Sequence, residues 1–366
     1  MKKVLLIGPL PKPITGVSLA NQVVVENLNK KKGYKVNFIN TAFKKIDENL
    51  GGLSIYKVMF YFKLNLYCYK ILNSDVVYIT PGQTFFGLLK YLLFIVASKI
   101  LSKELIIHIH GNYVESEYNL LKGIKKKLFK WLLSQTSKGI VLSESLSGNM
   151  SPFVHKKKIF VLYNFVQDFL FSDKKIIDNK LTQSKPKIIF LSNLMEEKGI
   201  FDLLEALRVL EEKEFEYEAK IAGNLDTTQE KKLQTHMKSL KNTKYVGVVS
   251  GKNKKDLLLW ANIFILPTFY KMEGQPISIL EAMATGNMVI TTRHAGIPDI
   301  FQNEINGYYV EKNNSKSIVE IILSLDIQSD EFQKILRHNY VVAKKNYRVE
   351  NFINNIINIF ETHNKE

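Results

Sequence analysis

Residues 269–286 read FYKMEGQPISILEAMATG, and this stretch decides the fold of the second half of the chain. Pro276 suits the first position of a helix and Gly286 is typical of the residue after a helix ends. The pattern therefore predicts a helix with Glu281 on its second turn. Upstream, residues 262–267 read NIFILP, an apolar run typical of a buried strand. Such a unit directs the unpaired N–H groups of the helix at the end of the strand, where they favour an anion such as a diphosphate.

The same helix also has an ordinary interpretation, as an amphipathic helix that packs one face on a core. The apolar residues on that face recur at helical spacing and are Ile277, Leu280, Met283 and Ala284. Glu281 lies among these apolar neighbours, where an ionised carboxylate is costly unless another group pairs with it or bonds to it. Glu281 is therefore the residue that the ordinary interpretation does not explain.

The segment from Glu273 to Glu281, EGQPISILE, resembles the E-x7-E signature of the retaining GT-B glycosyltransferases. Its continuation through residues 282–286, AMATG, resembles the large family 4 of those enzymes in particular. In that family the first Glu contacts the donor sugar, the following amides hold the sugar and phosphate, and the second Glu binds the nucleotide ribose. Carried over by position, these roles fall in turn on Glu273, on the donor-binding residues Gly274, Gln275, Pro276 and Ile277, and on Glu281.

The resemblance implies an α/β protein of GT-B fold, in which two Rossmann-like domains face a central cleft and a C-terminal helix crosses back to the first domain. A length of 366 residues and 46% hydrophobic content suit two domains of ordinary size. We predict an acceptor- and membrane-facing domain over 1–166, a polar linker over 167–184, a nucleotide-sugar-binding domain over 185–345, and the crossover helix over 346–366.

The first strand, within the N-terminal KKVLLIGP, ends in a glycine-bearing loop before a helical pattern over residues 19–28. Ligands of α/β sheets bind at loops of this kind, although the loop has no G-x-G-x-x-G dinucleotide fingerprint. In the resembling family a Gly-Gly pair near the donor diphosphate occupies this loop, and Thr15 and Gly16 take its place here. Gly16 is thus a candidate donor-binding residue, and a plain turn glycine is an equally good interpretation.

The segment ELIIHIHGNY places His108 and His110 near the end of a predicted strand. Strand alternation puts both side chains on one side of the strand, with Ile109 opposite. The sequence has no H-E-x-x-H motif, cysteine cluster or D-x-D motif to complete a metal site. The resemblance gives His110 a catalytic place beside the donor sugar and implies a metal-independent reaction without a cofactor. His108 is expected to pack in the core.

The second domain is predicted to open with a strand over residues 188–192, a loop that contains Lys198 and Gly199, and a helix. The family has G-R-L-x-x-x-K-G here, with Arg and Lys on the donor phosphates. Asn193 stands at the place of the Arg, so Lys198 is expected to carry more of the phosphate charge. Two further candidates near the donor are Asn164, in the turn before the linker, and Asn224.

The net charge of +16 is confined to the N-terminal half. Residues 1–180 contain 27 Lys and Arg against 11 Asp and Glu, whereas residues 181–366 contain 24 of each. A basic half indicates an anionic partner, either nucleic acid or an acidic membrane. Lysines are interleaved with aromatic and aliphatic residues at 53–72 and 123–134, which favours a membrane surface, although a solvated helix face also explains 123–134. Residues 85–101 suit a core helix better than a membrane span.

From the resemblance we expect a retaining glycosyltransferase that moves a sugar from a nucleotide-sugar, UDP-linked by preference, to a hydroxyl of a lipid-linked or saccharide acceptor. Bacterial surface polysaccharide assembly, at the inner face of the cytoplasmic membrane, is the implied setting. The single cysteine, Cys68, fits a reducing compartment. The alternatives are a GT-B epimerase that acts on a UDP-sugar and a non-catalytic basic protein that binds membrane or nucleic acid. No nucleic-acid-binding motif occurs in the sequence.

Overall fold

The structure is a computed structural model, and it describes residues 1–43, 55–180, 182–225 and 229–362. The chain divides into two compact units. Met1–Tyr163 and the residues from Phe352 onward form the first unit, and Asn164–Asn351 form the second.

The first unit contains a six-stranded sheet of parallel strands in the order β2-β1-β3-β4-β5-β6. The strands are β1 (Lys2–Gly8), β2 (Tyr34–Asn40), β3 (Val76–Ile79), β4 (Glu104–Ile109), β5 (Lys138–Val141) and β6 (Ile159–Val161). The helices between them are α1 (Gly16–Leu28), α2 (Ile55–Asn65), α3 (Phe85–Leu89), α4 (Leu92–Ile100), α5 (Val114–Leu120) and α6 (Gly123–Ser134). Strand β3 is buried along its whole length, as expected of a parallel strand covered on both faces.

The second unit has the same construction, with parallel strands in the order β12-β11-β10-β7-β8-β9. The strands are β7 (Lys187–Leu191), β8 (Glu218–Ala222), β9 (Thr243–Tyr245), β10 (Ile263–Leu266), β11 (Met288–Thr292) and β12 (Gly307–Val310). Its helices are α7 (Lys174–Lys180), α8 (Ile200–Glu212), α9 (Glu230–Lys238), α10 (Gly251–Trp260), α11 (Ile277–Ala284), α12 (Ser315–Ser324) and α13 (Asp330–Asn346). Helix α14 (Val349–Glu361) ends the described chain. The predicted α/β class is confirmed.

Two basic, apolar segments of the first half differ in how closely they follow their predictions. Helix α6 has the predicted bounds, and its Phe129, Leu132 and Leu133 are buried. In the segment 53–72, α2 gives way at Leu66 to a 3-10 helix that ends at Asn73. Residues 53 and 54 of that prediction lie outside the described residues, as does the side chain of Lys57.

The segment 85–101 forms two helices, α3 and α4, rather than the one core helix that we predicted. The interruption lies at Lys90 and Tyr91, where the buried Tyr91 hydroxyl group lies 3.1 Å from Thr41 Oγ1. That tertiary contact outweighs the helical pattern of the segment. Throughout the described residues, every helix is too short or too polar to cross a bilayer.

Candidate functional site

The loop between β10 and α11 carries Glu273, whose side chain is 9% exposed. Its Oε2 accepts hydrogen bonds from Lys198 Nζ at 2.5 Å and from Thr268 Oγ1 at 3.2 Å. The Lys198 ammonium also lies 4.9 Å from the centre of the Tyr270 ring. Two residues that come from separate predicted motifs, Glu273 and Lys198, thus meet at the carboxyl end of the second sheet.

The position of Lys198 depends on the glycine that follows it. Gly199 has φ +78°, and a Cβ at that position would lie 2.5 Å from the carbonyl oxygen of Pro267. Only glycine therefore lets this turn approach the end of β10 so closely. The carbonyl group of Glu197 accepts a hydrogen bond from Phe269 N at 2.8 Å and lies 3.2 Å from Thr268 Oγ1, which shares its one proton between this carbonyl group and Glu273 Oε2. These contacts join the loop of Lys198 to the loop of Glu273.

Helix α11 begins at Ile277 after Pro276, which occupies the N-cap rather than the predicted first helical position. The N-terminus has no side-chain cap, which suits an anion-binding helix end. The prediction of one buried face was too narrow, because all residues from Ile279 to Ala284 are buried while Ile277 is only partly so. The helix ends at Ala284, and Gly286 follows two residues later with φ +66°, close to the predicted end.

The partner of Glu281 is Lys254 of α10, whose Nζ lies 2.5 Å from Glu281 Oε1. The two side chains are 14% and 5% exposed, in the order Lys254, Glu281. An ammonium at hydrogen-bond distance explains how a carboxylate is tolerated among apolar neighbours. Our sequence interpretation missed Lys254, and the cost of burying Glu281 unpaired was the one signal that such a residue exists.

Gln275 and Asn164 are joined by two hydrogen bonds. The Gln275 side-chain Oε1 accepts from Asn164 N at 2.6 Å, and its backbone carbonyl group accepts from Asn164 Nδ2 at 2.8 Å. Gly274 is held from the other side, since its carbonyl group accepts from Gly296 N at 2.9 Å. Hydrogen bonds therefore hold both residues that follow Glu273, namely Gly274 and Gln275.

Asn193 and Asn224 lie in the loops that follow β7 and β8. Leu194 N donates to the carbonyl group of Asn224 at 2.9 Å, which holds the two loops side by side. Both asparagine side chains are exposed, and neither makes a hydrogen bond within the described part of the chain. Both asparagines lie at the same edge of the sheet as Lys198, but they take no part in the hydrogen bond between Lys198 and Glu273.

The two histidines lie in the first unit and stack, with ring centroids 3.9 Å apart. His108 is buried in the core, as predicted, and its Nδ1 lies 2.6 Å from the Tyr78 hydroxyl group. Burial lowers the pKa of His110 to about 3, and burial together with His110 lowers the pKa of His108 below its usual range. Both rings are therefore neutral near pH 7.

Gly16 is the first residue of α1, which begins earlier than the helical pattern indicated. Thr15 and Ser18 form a capping box across this end, with Thr15 Oγ1 accepting from Ser18 N at 3.1 Å. Among all the described residues, no cluster of three or more His, Cys, Asp or Glu side chains could hold a metal ion.

The sequence of residues 172–347 matches the family described as glycosyl transferases group 1. This part of the chain is a member of that family. The glycosyltransferase AmsK of amylovoran biosynthesis in Erwinia amylovora is 30% identical over 144 residues, which are 38% of this chain and 35% of AmsK. The capsular polysaccharide biosynthesis glycosyltransferase CapM of Staphylococcus aureus is 27% identical over 210 residues, which are 55% of this chain and 54% of CapM. The chain thus spans only a third to about half of these curated relatives.

A crystal structure of Anabaena HepE in complex with UDP-glucose superimposes on this chain with a TM-score of 0.73. The alignment covers 98% of this chain and 99% of HepE at 16% sequence identity. At this sequence identity, the structural similarity is evidence for a shared fold only. The predicted GT-B fold and the family resemblance are confirmed.

Proposed function

We propose that this protein is a retaining glycosyltransferase that moves a sugar from a UDP-sugar to a hydroxyl group of a lipid-linked or saccharide acceptor. The role is in bacterial polysaccharide assembly, in keeping with the names of the relatives AmsK and CapM. The observation that carries the proposal is the contact of Lys198 with Glu273 beside the uncapped start of α11. A cation and a helix N-terminus at one sheet edge suit a diphosphate, and the carboxylate suits sugar hydroxyl groups.

In the proposed reaction the acceptor hydroxyl group attacks the anomeric carbon from the face that the diphosphate leaves, and the diphosphate takes the acceptor proton. Lys198 and the N–H groups at the start of α11 stabilise the negative charge on the leaving group. Glu273 and neutral His110 orient the sugar, and Glu281 binds the ribose. Gly16, Asn164, Asn193, Asn224 and the backbone of residues 274–277 complete the proposed donor site. The reaction is metal-independent in this proposal, so EDTA is expected to leave the rate unchanged.

Calorimetric titration of the protein with UDP, GDP and ADP tests the donor assignment. We expect UDP to bind, GDP and ADP to bind more weakly, and Glu281→Ala to lose about tenfold or more of the UDP affinity, as for a hydrogen bond to a charged group. Glu320→Ala, at an exposed position of α12, is the matched control. If none of the three nucleotides binds to the wild type, the glycosyltransferase proposal is wrong and a basic binding protein takes its place.

A turnover assay tests the catalytic roles with the donor that the titration selects. Lys198→Met is expected to lower kcat by about a hundredfold or more, because a charge-stabilising group of this kind typically contributes that much. Consumption of the UDP-sugar without transfer to any acceptor would instead support the epimerase alternative.

We further propose that the first unit contacts an anionic membrane at its cytoplasmic face. Helix α6 exposes Lys125, Lys127 and Lys130 beside Ile124, which is 83% exposed, and Trp131, which is 40% exposed. Basic side chains interleaved with apolar ones suit the headgroup region of an acidic bilayer.

Flotation with vesicles of neutral lipid, with and without phosphatidylglycerol, tests the membrane contact. Binding to the anionic vesicles at low salt and release at high salt are expected, because surface charges are screened. Failure to bind at low salt would reject the proposed membrane contact, and the proposed donor site would not be affected by that result.

A further inference from the structure

Lys254 occupies one oxygen of the Glu281 carboxylate and leaves the other open. Its Nζ lies 2.5 Å from Glu281 Oε1, and the Glu281 side chain is 5% exposed. No described residue donates a hydrogen bond to Glu281 Oε2. A buried carboxylate with one oxygen paired and one oxygen available is a geometry that accepts a hydroxyl group from a ligand.

The backbones that carry the two side chains are fixed to each other. Lys254 lies in the first half of α10 and Glu281 in the middle of α11. At the far ends of these helices, Lys180 Nζ donates to the carbonyl groups of Leu258 at 3.2 Å and of Thr285 at 2.7 Å. Asn287 Nδ2 adds bonds to the carbonyl groups of Leu258 and Ala282, each at 3.1 Å. These buried hydrogen bonds therefore fix the spacing of the two helices, and with it the distance between the backbones of Lys254 and Glu281.

We propose that Lys254 is a positioning residue for nucleotide binding, which directs Glu281 Oε2 toward the ribose hydroxyl groups of the donor. The inference rests on the proposed function, in which Glu281 binds the ribose. Lys254 acts through Glu281: its ammonium offsets the cost of burying the carboxylate and fixes which oxygen faces the ligand. The ligand class is a nucleoside diphosphate with an intact 2′,3′-diol.

The test compares UDP with 2′,3′-dideoxy-UDP in calorimetric titrations of the wild type, Lys254→Met and Lys254→Arg. Lys252→Met is the matched control, because Lys252 lies in the same helix and is exposed. The wild type and the control are expected to prefer UDP by about tenfold to a hundredfold, as for hydrogen bonds to a charged group. The preference is expected to fall to about twofold or less in Lys254→Met and to return in part in Lys254→Arg.

A structural role alone would have a different signature, since it would lower the Tm of Lys254→Met and leave the preference for the diol unchanged. That outcome overturns the positioning role while the donor site stands. Lys254→Gln, which keeps a neutral donor, replaces Lys254→Met if the latter does not fold, and the same loss of preference is expected. If the wild type binds neither nucleotide, the proposed function fails together with this inference.

Discussion

Gln275 holds Asn164 with both its side chain and its backbone, through hydrogen bonds of 2.6 and 2.8 Å. Asn164 is the first residue of the second unit, and Gln275 lies two residues after Glu273. The loop proposed to hold the donor sugar is therefore attached to the point where the chain enters this unit. Both residues are buried, so neither bond can be replaced by solvent without rearrangement.

Replacing Gln275 by Leu is expected to destabilise the second unit and weaken donor binding together. The substitution leaves the buried N–H group of Asn164 without its acceptor, at a cost of about 1–3 kcal/mol. The lost contact also frees the loop that follows Glu273. Urea denaturation and UDP titration measure the two effects, with the exposed Gln328→Ala as control. A variant that loses stability but binds UDP like the wild type would contradict the role of this contact in the donor site.

The sequence was sufficient for the elements whose determinants are local. Continuous apolar runs predicted the strands, and Pro276 and Gly286 predicted both ends of α11 to within one residue. The partner of Glu281 could not be predicted in the same way. Residues 252–255 read KNKK, and three lysines there are equal candidates in sequence. The tertiary placement of α10 relative to α11 brings Lys254 within 2.5 Å of the carboxylate, and that placement is not encoded locally.

The linker prediction shows a second limit of local patterns. Residues 167–184 are polar and poorly periodic, and the linker prediction rests on that pattern alone. The structure forms α7 there and buries Ile177 and Lys180 in the second unit. A lysine is expected to be exposed unless its ammonium is fully paired, and the acceptors that pair Lys180 come from residues 258, 285 and 287. No pattern within 167–184 contains that information.

Lys180→Met is expected to lower the free energy of unfolding by roughly 2 kcal/mol, since it leaves buried acceptors without a donor. The buried Lys180 Nζ donates to two helix-terminal carbonyl groups and to Asn287 Oδ1 at 3.0 Å. Lys175→Met, at an exposed position of the same helix, controls for the loss of a positive charge. Equal urea midpoints for the two variants would show that the buried contacts of Lys180 contribute nothing.

The stacked histidines predict a loss of stability in acid. Burial lowers the pKa of His110 to about 3, whereas the unfolded chain takes up that proton near pH 6.5. The contribution of neutral His110 to the free energy of unfolding is therefore fully present above pH 6.5, and it is lost as the pH decreases toward 3. At pH 4.5, two units below the unfolded pKa and still above the folded one, the loss amounts to about 3 kcal/mol.

His110→Gln removes the titrating group and should therefore be less sensitive to acid than the wild type. Urea midpoints at pH 7 and pH 4.5 measure the difference, and His155→Gln, at an exposed position, serves as control. The idea fails if His110→Gln and the wild type lose the same stability between these two pH values.

The C-terminal helix α14 is anchored in the first unit by a lysine that its own sequence does not contain. The Lys138 side chain is 1% exposed, and its Nζ donates to the carbonyl groups of Ile359 at 2.7 Å and Phe360 at 3.3 Å while it pairs with Glu104 at 2.6 Å. A cation at the last turn of a helix satisfies free carbonyl groups and interacts favourably with the helix dipole.

Lys138→Met is therefore expected to release α14 and to lower the free energy of unfolding by about 2–4 kcal/mol, because it removes one partner from a buried charged network. Limited proteolysis should then cleave near residue 346 faster than in the wild type, while Lys127→Met, an exposed lysine of the same unit, should leave the rate unchanged. Equal cleavage rates for Lys138→Met and the wild type would mean that the apolar contacts of α14, such as Phe360 against Tyr78 with ring centroids 5.9 Å apart, hold the helix without the lysine.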